Sequence, residues 1–174
     1  TSVSRLAVVG QAKRITGRDI SFDLAGSDVG LAKEHAEGVM RGLERYPDAK
    51  LEHVGTYGPG ATRTPDSRMA NVVGSEAYAM SDGSAVLFNN RFTSSPDAYK
   101  QQLAKAPVGG GQVPGDARGI ATHEFGHVVA EGSNASGAAM AVAKSSTSGS
   151  VSAKVAKDIS PYANTDQHEL AAEA

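Results

Sequence analysis

The chain has 174 residues, 40% of them hydrophobic and 21% charged, with a formal net charge of -2. That length suits one domain with its own hydrophobic core, and so small a charge gives no reason to expect nucleic acid or an acidic membrane surface as partner. With no cysteine, neither a disulfide nor a thiolate-held zinc can support the fold.

Residues 1–18 are ambiguous between helix and strand at Leu6-Ala7-Val8-Val9, and a helix is the expectation. Ile20, Phe22 and Leu24 alternate with Ser21 and Asp23, the period of a half-buried strand. A helix is predicted from Val29 to Tyr46, with Ala32, Ala36, Val39, Met40 and Leu43 on one stripe and Pro47 at its end. Leu51 to Tyr57 reads as a second strand, so strand, helix and strand predict a crossover onto a mixed sheet. His35 is expected on the polar side of that helix and His53 within the strand. Neither has a partner at ligand spacing, so both are read as structural.

Residues 58–74 carry Gly, Pro, Thr, Arg and Asp without periodicity and read as a long loop. Glu76–Met80 and Ala85–Asn89 then flank Ser81-Asp82-Gly83-Ser84, where Asp82-Gly83 predicts a tight hairpin. Pro96 to Ala106 reads as a short helix with Tyr99 and Leu103 on one side. The glycines that follow, Gly109-Gly110-Gly111, suit a lid hinge and a passive linker equally.

The chemistry concentrates in the next helix, predicted from Asp116, after Pro114-Gly115, to Gly132. It carries His123-Glu124-Phe125-Gly126-His127, an HExxH motif whose two imidazoles lie one turn apart on one face and can reach a single ion. At about 100° per residue, Ala121, Phe125, Val128 and Val129 form an apolar stripe apart from His123, Glu124 and His127. That separation argues against a merely solvated face carrying two histidines. A catalytic zinc has three protein ligands and an open position. Metzincin spacing would place glycine at 130 and histidine at 133, where this chain has Ala130 and Ser133. The acidic candidates downstream of Glu131 are Asp158, Asp166, Glu169 and Glu173, with Glu169 the first choice and His168 the runner-up; Glu131 itself is expected to be solvated at the helix end.

Residues 133–152 are rich in Ser, Ala and Gly and bury little, with short helices expected around 138–144 and 151–159. Pro161 breaks the second, and Thr165 or Asp166 can cap a last helix. Ser160-Pro161-Tyr162-Ala163 and Glu169-Leu170-Ala171-Ala172-Glu173 resemble the S-x-Y-A and E-x-x-A-E signature that follows HEFGH in zinc peptidases similar to anthrax lethal factor. The same pair of motifs occurs in Pro-Pro endopeptidases and in phage- or toxin-associated peptidase domains. The likeness is close from Asp116 onward, except that this chain stops at Ala174 where the family continues with an aromatic. It implies Glu169 as third zinc ligand and Tyr162, seven residues earlier, pointing into the site. Glu173, one turn after Glu169, is expected to hydrogen-bond a ligand imidazole.

The expected fold is α+β and zincin-like, of the gluzincin type: a small mixed sheet with an edge hairpin packed on the HExxH helix, and a C-terminal helical part, in one domain over 1–174. The expected activity is a zinc endopeptidase with one Zn2+ per chain and a polypeptide substrate. In it Glu124 is the general base and Tyr162 stabilises the oxyanion. The peptide is expected to add as a strand to the hairpin, with Tyr78 and Val86 as substrate contacts. Two alternatives stand beside it: a catalytically silent binding module of a phage-, toxin- or secretion-associated assembly, and a zinc hydrolase acting on a non-peptide amide. The intact Glu124 favours the enzyme readings. No apolar run in this sequence is long enough to span a bilayer, and its N-terminal residues do not read as a charged-then-apolar leader. A start at Thr1 suggests a fragment or processed product, and the resemblance adds a larger parent chain in a secreted or virion-associated setting.

Overall fold

The structure, a computed structural model, describes residues 2–58, 61, 78–105 and 116–133. In chain order the elements are α1 (Ser2–Thr16), β1 (Ser21–Asp23), α2 (Val29–Arg45), β2 (His53–Tyr57), β3 (Ala79–Asp82), β4 (Ala85–Asn89), α3 (Asn90–Thr93), α4 (Pro96–Lys105) and α5 (Ala117–Ser133). The architecture is mixed α+β, with a four-stranded sheet in the order β1-β2-β4-β3. β1 and β4 flank β2 in parallel, and β3 pairs antiparallel with β4 at the edge. The β1-α2-β2 crossover and the mixed sheet are as the strand-helix-strand pattern predicts.

α1 ends where Gly17 adopts φ 70° and its N–H donates to the Lys13 carbonyl at 2.8 Å, a left-handed cap that suits glycine. The Asp28 carboxylate starts α2 by accepting the N–H groups of Gly30 and Leu31 at 2.9 and 3.2 Å. The predicted stripe of α2 packs on the sheet: Ala36, Val39, Met40 and Leu43 join Phe22, Val54, Val86 and Phe88 in the main core. Ala121, Phe125 and Val128 of α5 join the same core. A second cluster of Leu31, Tyr99, Ala117 and Ile120, with Leu103 against it, docks α4 as its one-sided pattern predicts.

Four details differ from the sequence reading. β3 runs on to Asp82, which pairs with Ala85, so Gly83-Ser84 form the hairpin loop in place of Asp82-Gly83. A helical turn, α3, follows β4, capped by the Asn89 side chain accepting the Arg91 N–H at 3.0 Å. α5 is buried on several sides, at Ala117, Ile120, Ala121, His123, Phe125, Val128 and Ala130, so the sector with the histidines is partly inside. His35 is fully buried and does not lie on a polar face. It shares a second buried stripe with Leu31, Gly38 and Gly42, and this stripe faces α5. The long loop, the glycine connection and the C-terminal helical part lie outside the described residues, apart from Gly58 and Ala61.

Candidate metal centre

The helix that carries the motif is fixed at its first turn. The Asp116 carboxylate accepts the Gly119 N–H at 2.6 Å, and the Arg118 guanidinium donates to one oxygen of Glu37 on α2 through Nε at 3.0 Å and through a terminal nitrogen at 2.7 Å. Further along, α2 offers glycines where the helices meet. A Cβ on Gly38 would stand 2.2 Å from the Arg118 carbonyl oxygen and 2.8 Å from the Ala121 Cβ. Sequence reasoning passed over both this contact and the ion pair, although Gly38 and Gly42, four residues apart on a helix, are a readable sign of close helix approach.

On the side of α5 away from α2, His123 is buried and His127 half-buried. Their Nε2 atoms lie 3.2 Å apart, and their rings stand at 88°. Two zinc–nitrogen bonds of about 2.0–2.1 Å meeting at a tetrahedral angle would separate their nitrogens by about 3.3 Å. The pair therefore fits two ligands of one zinc ion. Among the described residues no group of three or more histidines and carboxylates is placed to hold a metal. The expected third ligand Glu169, with Tyr162, His168 and Glu173, lies outside them.

Helical geometry also fixes what flanks the pair. At about 100° per residue, Ala117, Ile120, Glu124 and Glu131 share one sector beside the histidines, and β3 lies along it. Tyr78 and Ala79 pack with Ala117 and Ile120 at one end, and a Cβ on Gly83 would come within 3.0 Å of the Glu131 carboxylate at the other. Glu124, half-buried, thus falls on the flank of the histidines that the edge strand follows. Glu131 is exposed, as expected of the helix end.

The two expected substrate contacts are placed otherwise. Val86 is fully buried on β4, an inner strand between β2 and β3. The Tyr78 hydroxyl is engaged inside the protein, 2.7 Å from His35 Nε2. Burial, then the Tyr99 and Glu34 charges, pushes its pKa above the usual phenol range. Burial, then Asp116 and Glu34, likewise raises Tyr99 to about 12. Among the described residues β3 is an edge strand of the sheet. The Asn89 N–H donates to the Tyr78 carbonyl at 2.8 Å, and in an antiparallel ladder that phase turns the main-chain groups of Ala79 and Ser81 outward. No family model, curated protein or solved structure matches the chain, and no family is shown for it.

Proposed function

We propose that the chain is a zinc-dependent endopeptidase of the zincin type, with His123, His127 and Glu169 as ligands and Glu124 as general base. The observation that carries this reading is the His123–His127 pair, its Nε2 atoms 3.2 Å apart on a helix flanked by a sheet edge. Bound zinc would supply Lewis acidity, polarising a carbonyl and bringing the pKa of a water to about 7. Glu124 is the residue type that takes the proton from the attacking water and returns it to the leaving amine. An extended peptide aligned on the outward main-chain groups of Ala79 and Ser81 would pass beside Glu124. Tyr162 would donate a hydrogen bond to the reacting carbonyl oxygen, and Glu173 would orient a ligand imidazole.

A second reading has its own support, since 3.2 Å is also the length of an N–H···N hydrogen bond between two neutral imidazoles. In that case the chain is a silent binding module. Zinc content with peptide-library cleavage separates the two. One zinc per chain is expected, lost with alanine at His123, His127 or Glu169 and kept in Glu124→Gln, which should lower kcat/KM by about 10²–10⁴. A purified chain that takes up no zinc on reconstitution would end the peptidase reading.

A further inference from the structure

We propose that Gly42 of α2 is a positioning residue for the His123–His127 pair. By leaving room for the Phe125 ring, it sets the rotation of α5 about its own axis and with it the direction the two imidazoles face. The inference rests on the metal-centre reading above.

Phe125 is two residues from each histidine, so at about 100° per residue its ring points directly opposite the pair. That ring is buried, and it occupies the place where any other residue at 42 would carry its side chain. A Cβ on Gly42 would stand 2.2 Å from Cδ1 of Phe125 and 2.7 Å from both Cε1 and Cγ. The neighbouring contact at Gly38 is made largely with the α5 backbone, through the Arg118 carbonyl oxygen at 2.2 Å. It therefore governs how near the helices come, whereas the aromatic ring in the Gly42 slot governs how α5 is turned.

Turning has an uneven consequence. Both histidines ride on α5, so rotation preserves their 3.2 Å spacing. Any ligand from elsewhere in the chain is left behind. With side-chain tips about 5–6 Å from a helix axis, a turn of roughly 15° carries them more than about 1 Å. Metal–ligand distances tolerate only about 0.2 Å. A methyl group at Gly42 forces such a turn or a shift of similar size.

The test is metal affinity in the folded protein, using Zn2+ and Co2+ as probes, with the Co2+ absorption spectrum reporting coordination geometry. Gly42→Ala is expected to keep its helical signal and cooperative unfolding, to bind about tenfold more weakly, the scale for losing a ligand's orienting partner, and to show an altered cobalt spectrum. The double variant Gly42→Ala/Phe125→Leu, with a slimmer side chain for the narrowed slot, is expected to recover most of the affinity. Phe125→Ala, which removes the ring without any clash, is expected to weaken binding as well and decides the matter should Gly42→Ala not fold. Wild-type affinity in folded Gly42→Ala or in Phe125→Ala, or a double variant no better than Gly42→Ala, would overturn the proposal. A wild type that binds neither ion would remove the metal-centre reading and this inference together.

Discussion

His35 Nε2 lies 2.7 Å from the Tyr78 hydroxyl, and its ring stacks on Phe88 with centroids 3.9 Å apart. In that setting burial pushes its pKa down to about 3. The unfolded chain takes a proton at this residue near its ordinary value of about 6.5, while the folded chain stays neutral until about 3. The contribution is therefore complete above about 6.5 and is lost as the pH falls toward 3, on the order of several kcal/mol in all. His35→Gln keeps a hydrogen-bonding partner for Tyr78 and has no proton to gain. Urea midpoints between pH 7 and 4.5 should fall more steeply for the wild type than for this variant; parallel curves would show that His35 does not titrate on unfolding. Sequence reasoning set His35 aside as structural and placed it on the polar side of its helix, whereas it is buried. The reason is chemical: the stripe it belongs to continues in Gly38 and Gly42, which carry no hydrophobic signal.

α2 meets α5 through those glycines, so the same substitution should have opposite effects at two helical sites. A methyl on Gly38 meets the Arg118 carbonyl oxygen at 2.2 Å, whereas one on Gly10 in α1 meets nothing within 4 Å. Gly38→Ala should cost about 1–3 kcal/mol from overpacking, against a gain of up to about 1 kcal/mol in helix propensity. Gly10→Ala should gain about 0.5–1 kcal/mol. Denaturant titration of both decides it, and two shifts of the same sign would refute the packing argument. The sheet edge offers a parallel contrast. Ser81 turns its N–H outward and Met80 donates inward to Leu87, so proline is tolerable only at Ser81. Ser81→Pro should fold, bind zinc and cleave peptide with a raised KM, while Met80→Pro loses stability; an unchanged KM in Ser81→Pro would mean that peptide does not dock on β3. Alternation and turn chemistry made β1, β2, α2, the hairpin and the span of α5 legible, because each signals through apolar period or breakers. The loop's one-residue offset and α3 were not, because they depend on pairing register and on a cap made by Asn89. Nor was the burial of His123, which depends on tertiary packing and leaves no mark in the helix's own pattern.

Among the described residues α5, like α2, reaches both larger apolar clusters, with Ala121, Phe125 and Val128 in one and Ala117 and Ile120 in the other. Whatever stabilises α5 should therefore be felt in global unfolding. Zinc bound only by the folded chain adds about 2.7 kcal/mol at a hundredfold excess over Kd. The increment depends on zinc concentration and affinity and not on turnover, so it reports metal binding without knowledge of the substrate. The wild-type melting temperature should rise with zinc and fall back with a chelator. His123→Ala and His127→Ala should lose the rise, and Glu124→Gln should keep it. Glu169→Ala is the informative variant, because its residue is linked to α5 only through sequence resemblance. If it melts without a zinc-dependent shift, Glu169 is a ligand. If its shift equals that of the wild type, His168 is the next candidate, and with it the gluzincin assignment gives way to a three-histidine site.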